Sequence, residues 1–372
     1  MSSTYHMLEY IHEGPRALAL TLEANEDRIQ EVAELVKKGS IDRIIMTGIG
    51  SSYTSSMMSA PLFVCHSPVP VQVVESSEFQ NLPKRLVNKR TMIVAISRSG
   101  ERGVVTNLLN EAVQNGACGV VVTGVADSLM AKQARFAIIT KEGPEITFPK
   151  TKSVVTCTGV LMRLALALAE ADDTTAGKRL LELKDMPAVL ERTFDHIESD
   201  LSKLIPTIES RELVAIVGTG SNYGVALEGA MKLQEASYVP SHGERTNAFL
   251  NGPIGAMNAK WLVVALITNQ DKDLSEKVLH ISQNLEARTL CVIEPGLSIT
   301  EKPDHCLTLP AKVDGFLAAL VYLLPMQLLA YFRTVARGMN PDAPTSMNSI
   351  LEAILAPGRD EPEFRKGLLQ TS

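Results

Sequence analysis

The sequence has few of the features that mark a secreted or metal-binding protein. It contains five cysteines in 372 residues without a CxxC spacing, and most of them lie in apolar runs. Such cysteines are expected to be buried, reduced thiols, which fits the cytosol. No HExxH motif and no cluster of carboxylates appears, so neither a metal nor another cofactor is indicated.

Charge and hydropathy disfavour three further classes of protein: nucleic-acid-binding, secreted and membrane proteins. The chain carries 36 Lys and Arg against 42 Asp and Glu, a net charge of −6, and no basic block that would bind nucleic acid. Its first residues lack the basic and apolar regions of a signal peptide. We find no apolar run of the roughly 18 residues that a membrane span needs. We therefore expect a cytoplasmic protein that binds neither nucleic acid nor membrane and is long enough for two domains.

Strand-like apolar runs alternate with helical patterns along the chain, which predicts an α/β fold with parallel sheets. The run VAIVGTGSNY (214–223) repeats IIMTGIGSSY (44–53) at an offset of 170 residues. Two copies of one α/β unit are the simplest interpretation. The predicted order is an N-terminal helical segment (1–38), a first α/β domain (39–175), a helical connector (176–209), a second α/β domain (210–338) and a C-terminal tail (339–372).

Hydroxyl side chains follow two predicted strands of the first repeat. Ser51 and Ser52 lie in the GIGSSY turn, and Ser97 and Ser99 lie in ISRSGE (96–101), just before a predicted helix. Such hydroxyls and the free N–H groups of a helix start can bind phosphate. Hydrogen bonds to a charged group contribute about 1.5–3 kcal/mol each, so three or four would hold a sugar phosphate at micromolar concentration. The alternative is that these serines only cap a helix.

Three ionisable residues share one face of a predicted helix in the second repeat. Glu228, Lys232 and Glu235 are spaced i, i+4, i+7 in GVALEGAMKLQEASYV (224–239). Our hypothesis is that an anionic small molecule lies at the neighbouring GTGSNY turn (218–223), with Glu235 as the proton-moving group. The alternative for Glu228 and Lys232 is a surface ion pair worth a few tenths of a kcal/mol.

Six segments occur in one order: GSSYTSS, SSEFQ, AISRSGE, ALEGAMKLQEASY, NGP and LVYLLPMQLLAYF. Together they resemble the double sugar-isomerase (SIS) domain family, and in particular the isomerase half of glucosamine-fructose-6-phosphate aminotransferase and stand-alone phosphosugar isomerases and deglycases. The resemblance implies two three-layer αβα, flavodoxin-like domains and at least a homodimer, because the family builds its site at a dimer interface. The glutaminase half has no counterpart here, so use of free glutamine is not expected.

The resemblance also implies roles for individual residues. Glu235 matches the base that moves a proton between C1 and C2 of the sugar through an enediol, and Glu228 and Lys232 match polar residues on the same helix face. The implied ligands of the sugar phosphate are Ser51, Ser52, Ser97 and Ser99, together with Arg98 and Arg102, which replace a glutamine and a threonine of the family, and Lys152.

Three further positions depart from the family pattern. Asn251 stands in NGP (251–253) where the family has a histidine thought to open the sugar ring, and asparagine cannot accept and return a proton near neutral pH. Lys150 replaces a serine of the family. The position of the family's C-terminal lysine falls in SMNS (346–349), which contains no lysine. His242, nine residues before Asn251, is a candidate substitute, although an isolated histidine in a polar loop can simply be solvated.

Three functions remain possible. The first is an enzyme that acts on an amino- or keto-sugar phosphate, by aldose–ketose isomerisation or by releasing an amine through an enediol or enolamine. The second is a protein that binds a sugar phosphate as a sensor, without turnover. The third is a dinucleotide-dependent oxidoreductase, which the lack of a third glycine after either G-x-G disfavours.

Overall fold

The computed structural model describes residues 5–82, 84–101 and 103–343. Arg102 and the SMNS segment (346–349) therefore lie outside the described residues, as does all but the first part of the predicted tail. The described chain separates into two units, each of which contains one five-stranded sheet. The first-sheet unit comprises Glu13–Gly143 and Lys152–Pro187. The second-sheet unit comprises the described residues of Met1–His12, Pro144–Thr151 and Ala188–Ser372.

The first sheet is parallel throughout, with strand order β2-β1-β3-β4-β5. Its inner strands β3 and β4 are runs of mostly aliphatic residues buried on both faces, as is typical of parallel sheets. The elements up to residue 208 are α1 (His6–Ala24), α2 (Glu26–Lys37), β1 (Arg43–Gly48), α3 (Ser51–His66), β2 (Val71–Glu75), β3 (Thr91–Ile96), α4 (Val104–Gln114), β4 (Cys118–Thr123), α5 (Leu129–Gln133), β5 (Phe136–Ile139), α6 (Lys152–Ala167) and α7 (Thr174–Ile208).

The second sheet repeats this topology, with order β10-β9-β8-β6-β7 and all pairs parallel. Read from its other edge, the sheet has the same connectivity as the first, so the predicted duplication of an α/β unit is confirmed. Its elements are β6 (Leu213–Gly218), α8 (Ser221–Ser237), β7 (Ser241–Arg245), α9 (Thr246–Leu250), β8 (Trp261–Ile267), α10 (Lys272–Asn284), β9 (Arg288–Ile293), β10 (His305–Thr308) and α11 (Ala318–Ala336).

The two glycine turns have nearly the same backbone. Gly50, before α3, has φ 56° and ψ −128°, and Gly220, before α8, has φ 59° and ψ −127°. Positive φ is costly for residues with a Cβ, which explains the glycine at both positions. The two copies of the α/β unit therefore match in the backbone dihedral angles of this turn as well as in topology.

Strand order also brings the hydroxyl-rich loops together. β1 lies between β2 and β3. The chain therefore forms β2 on one side of β1 and then crosses over to form β3 on the other side. Ligands of open α/β sheets bind in the crevice at the carboxyl ends of the strands where this reversal occurs. The loops after β1 and β3, which hold Ser51 and Ser99 among others, both begin at this crevice.

Two elements of the second-sheet unit differ from the sequence-based expectation. Residues 241–245 form strand β7, although we predicted a polar loop there. A Cβ on Gly243 would lie 2.4 Å from the carbonyl carbon of Ala226, so only glycine lets β7 pass this close to α8. Helix α11 is long and apolar enough to cross a membrane by length and composition alone, with mean hydropathy 1.4, whereas we expected no such run. The apolar window of α11 is 89% buried, as in a core helix.

Candidate functional site

Ser51 and Ser52 are the first two residues of α3, a 16-residue helix. Gly50, the residue before them, provides no side chain to cap the helix. The N–H of Ser52 donates to the carbonyl of Ile49 at 3.1 Å, so this backbone donor already has a partner within the protein. Both serines are partly exposed. The two serine hydroxyls therefore lie side by side in sequence at the start of α3.

Ser97 and Ser99 lie in a tight turn after β3. The Oγ of Ser97 accepts the N–H of Gly100 at 3.2 Å, and the Oγ of Ser99 accepts the N–H of Glu101 at 3.5 Å. The N-cap residue of α4 is Gly103, so neither serine caps that helix. A serine hydroxyl that accepts one hydrogen bond keeps its own O–H for donation. Both hydroxyls are thus held in place by the turn and can still donate to a ligand.

Two predicted cationic ligands have protein partners within the first-sheet unit. The Nη2 of Arg98 donates to the carbonyl of Gly143 at 3.3 Å, and its Nε lies 3.9 Å from the buried Oε1 of Glu142. The Nζ of Lys152, which is only 2% exposed, lies 2.6 Å from the Oε2 of Glu13. Because neighbouring carboxylates balance both cations, they would strengthen phosphate binding less than unpaired cations would.

The predicted charged face of α8 is present, and it is buried. The Nζ of Lys232 lies 3.4 Å from the Oε1 of Glu228 and donates a hydrogen bond to the Oε2 of Glu235. The side chains of Lys232 and Glu228 are 1% and 0% exposed, so the surface ion pair that we considered as the alternative is wrong. Glu235 keeps 22% of its side-chain exposure and is the member of the cluster that solvent can reach.

The environment of the cluster shifts two pKa values. Burial raises the pKa of the Glu235 carboxyl, against the opposing effects of the Lys232 and Lys150 cations. Burial by itself would lower the pKa of Lys232, but the carboxylates of Glu235 and Glu228 outweigh it, so the net shift is upward. Glu235 is therefore a carboxylate held beside a firmly charged ammonium, with a pKa moved towards the range in which a base exchanges protons at neutral pH.

One part of our working hypothesis conflicts with the geometry of α8. Ser221 begins the helix and Glu235 lies 14 residues later, about 21 Å along the axis at 1.5 Å per residue. A small molecule at the GTGSNY turn cannot reach both ends. In this turn Ser221 and Asn222 are buried and the Oγ of Ser221 donates to the carbonyl of Phe316 at 3.0 Å, whereas Thr219 and Gly220 are exposed. We therefore conclude that a single small molecule does not contact both Glu235 and the second glycine turn.

Lys150, which the sequence marks only as a departure from the family pattern, lies near the charged cluster of α8. Its Nζ donates to the carbonyls of Glu145 at 2.8 Å and Thr147 at 2.7 Å. The next residue, Thr151, accepts a hydrogen bond from the Nε2 of Gln327 on α11 at 3.1 Å. Lys150 is close enough to Glu235 to lower the pKa of its carboxyl. No local pattern in PKTK (149–152) signals this contact, because it joins segments far apart in the chain.

Asn251, which stands at the position of the family's ring-opening histidine, and its candidate substitute His242 lie on different elements. Asn251 follows α9 and is exposed, and its Nδ2 donates to the carbonyl of Asn247 at 2.7 Å. His242 is half-buried in β7, and its ring centroid lies 5.5 Å from that of Trp261. Burial lowers the pKa of His242, which keeps the ring neutral.

His242 lies on the face of the sheet opposite α8. It pairs with Ala215, which packs in the core with Phe249, whereas the next residue, Gly243, faces the backbone of α8. Successive residues of a strand point to opposite faces. His242 consequently cannot act on an atom that Glu235 of the same chain touches, and we do not retain it as a substitute for the missing histidine.

Comparisons with known proteins agree with this fold. The SIS domain profile matches residues 39–167 and 208–336. A glutamine–fructose-6-phosphate aminotransferase [isomerizing] of Thermococcus kodakarensis is 32% identical over 352 residues, which cover 92% of this chain and 57% of that protein. The chain thus spans little more than half the length of this curated relative.

Solved structures show the same fold at lower identity. The C-terminal domain of glucosamine-fructose-6-phosphate aminotransferase from Francisella tularensis superposes with a TM-score of 0.81 at 23% identity, covering 92% of this chain and 99% of that one. Glucosamine-6-phosphate deaminase from Thermotoga maritima superposes with a TM-score of 0.71 at 20% identity, covering 91% and 97%.

Proposed function

The chain belongs to the SIS domain family, and from that membership we propose that it binds a phosphorylated sugar or amino sugar and moves a proton between C1 and C2 of its ligand. The reaction is an aldose–ketose isomerisation or the release of an amine. Relatives named for isomerising aminotransfer and for deamination support this range. Both reactions pass through an enediol or enolamine, so the proposal needs only one base.

The observation that carries the proposal is the buried cluster on α8. A carboxylate with an elevated pKa, partly open to solvent and hydrogen-bonded to a buried lysine, is costly to maintain for stability alone. Such a group has the properties that proton transfer requires. We assign the base to Glu235 and the positioning of its carboxylate to Lys232, with Glu228 holding the other side of the ammonium.

We assign the phosphate to the crevice between the loops that follow β1 and β3. Its proposed ligands are the hydroxyls of Ser51, Ser52, Ser97 and Ser99. The strand order supports this assignment, because the two loops leave adjacent strands at the point where the chain reverses direction across the sheet.

Isotope exchange tests the function directly. The protein would be incubated in D2O with fructose 6-phosphate, glucosamine 6-phosphate and fructosamine 6-phosphate, and exchange of the C1 and C2 protons followed by NMR. We expect exchange with at least one of them, and weaker binding of that ligand by the double variant Ser97→Ala/Ser99→Ala, by roughly 10- to 100-fold per lost hydrogen bond to phosphate. Ser40→Ala, which alters an exposed serine away from the loops, is the control. If no sugar phosphate raises the melting temperature, the proposal fails.

Asn251 favours a second candidate, a sugar-phosphate sensor without turnover. Its amide is committed to its own helix and cannot exchange a proton near neutral pH. The same experiment separates the two, since a sensor binds the ligand without exchanging its protons. An enzyme lacking this ring-opening group is expected to act best on an open-chain substrate.

Lys150 provides a prediction about pH. Its positive charge lowers the pKa of Glu235, so Lys150→Ser is expected to raise that pKa. Because the base acts when deprotonated, the acidic limb of the kcat/KM profile for proton exchange should move to higher pH. Lys150→Arg keeps the charge and should leave the limb in place. Identical profiles for Lys150→Ser and the parent protein would show that Lys150 does not influence the base.

A further inference from the structure

Two of the five cysteines lie opposite each other on neighbouring strands of the second sheet. Both are far in sequence from the charged cluster of α8. Cys306 of β10 is the register partner of Cys291 of β9. Register partners in a parallel pair point to the same face of the sheet, and neighbouring strands lie about 4.8 Å apart. Disulfides join residues whose Cα atoms are roughly 4.4–6.8 Å apart, so this spacing is suitable.

The environments of the two thiols differ in a way that suits a stepwise oxidation. β10 is the edge strand of its sheet, and Cys306 is exposed, whereas Cys291 is fully buried. The neighbouring Cys291 thiol, and to a smaller extent Thr308, lower the pKa of Cys306 to about 7 against the effect of burial. An exposed thiol that is partly ionised at neutral pH is the form that reacts with oxidants.

We propose that Cys306 and Cys291 form a hydroperoxide-sensitive dithiol, in which oxidation creates a cross-strand disulfide between β10 and β9. The Cys306 thiolate attacks the terminal oxygen of the hydroperoxide, the O–O bond breaks, and the released alkoxide or hydroxide takes up a proton. This step leaves Cys306 as a sulfenic acid. The Cys291 sulfur then attacks the Cys306 sulfur, the S–O bond breaks, and the departing hydroxide leaves as water with the Cys291 proton. Two thiols lose two electrons in total, and the hydroperoxide gains them.

This disulfide is expected to be easily reduced. A directly opposed pair on parallel strands requires the Cβ atoms to approach more closely than the sheet spacing gives, and such strain makes a disulfide more reducible. The disulfide would link the edge strand β10 covalently to β9, its one neighbour in the sheet. The reaction is therefore reversible by a small dithiol and independent of the proposed sugar chemistry.

Peptide mass spectrometry after hydrogen peroxide treatment tests the proposal. Free thiols would be alkylated before digestion. Because Pro303 follows Lys302, trypsin leaves both cysteines in one peptide, residues 289–312, and cleavage after Glu301 then separates them unless a disulfide holds them. We expect the linked product in the parent protein and in Cys65→Ser, its loss in Cys306→Ser, and its disappearance with dithiothreitol.

Two further readouts decide the outcome. In Cys291→Ser, the sulfenic acid of Cys306 has no resolving thiol, so its capture by dimedone should exceed that in the parent protein. Cys306→Ser alters an exposed position and should fold normally, which circular dichroism would verify. The proposal is overturned if Cys65, the other exposed cysteine, is oxidised while no 291–306 link forms. It is likewise overturned if the link joins two chains, seen as a dimer on a non-reducing gel.

Discussion

Glu235→Gln is expected to lower the rate of C1/C2 proton exchange by roughly 10²–10⁴-fold, the contribution typical of a positioned acid–base group. The substitution keeps the size of the side chain and its ability to accept a hydrogen bond from Lys232, but it removes the basic oxygen. Binding of the sugar phosphate should change little, because the phosphate is assigned to the first-sheet unit. The loss should therefore appear in kcat far more than in KM.

The control for this substitution is Glu191→Gln, which makes the same chemical change at an exposed position on α7. It should leave both parameters unchanged. NMR exchange rates in D2O, together with ligand-induced shifts in melting temperature, measure catalysis and binding separately. If Glu235→Gln retains the parent rate of exchange, Glu235 is not the base, and the assignment of the α8 cluster to proton transfer fails.

The sequence predicted the strands, turns and helices that carry the proposed phosphate ligands, because the signals for these elements are local. A strand, a glycine turn and a hydroxyl at the start of a helix occur within ten residues, and the strand order then brings Ser51 and Ser97 to one crevice. The i, i+4, i+7 spacing likewise predicted that Glu228, Lys232 and Glu235 share a face. Spacing could not show that this face is buried, since burial depends on how α11 and β7 pack against α8.

The predictions that needed tertiary information succeeded less well. His242 was interpreted as a loop residue because SHGER contains few apolar residues, yet pairing with β6 makes the segment a strand. The role of Lys150 beside Glu235 depends on the segment 144–151, which belongs to the second-sheet unit although it lies in sequence between parts of the first. Our hypothesis that one ligand at the second glycine turn also contacts Glu235 failed on distance, which the length of α8 determines.

The stability of the second-sheet unit should depend strongly on Lys232. Lys232→Met keeps a long unbranched side chain but removes the cation between two carboxylates, one of them fully buried. Removing one partner of a buried ion pair typically costs about 3–5 kcal/mol, because the remaining charge is left uncompensated. We expect a loss of this size in the free energy of unfolding near neutral pH. Trp261, the only tryptophan, lies in β8 and reports on this unit by its fluorescence in urea.

The pH dependence of this loss has a definite sign. Without the ammonium, the folded-state pKa of Glu235, which burial already raises, moves further above its value in the unfolded chain. A carboxyl with a raised folded-state pKa binds protons more strongly when folded, so stability falls as pH rises through that range. The destabilisation should therefore be greatest above the folded-state pKa and should shrink on acidification, as the carboxyl becomes protonated. Lys203→Met, at a lysine whose side chain is 73% exposed, should change stability by no more than about 0.5 kcal/mol at any of these pH values. Equal effects of the two substitutions would mean that the α8 ammonium does not compensate the buried carboxylates.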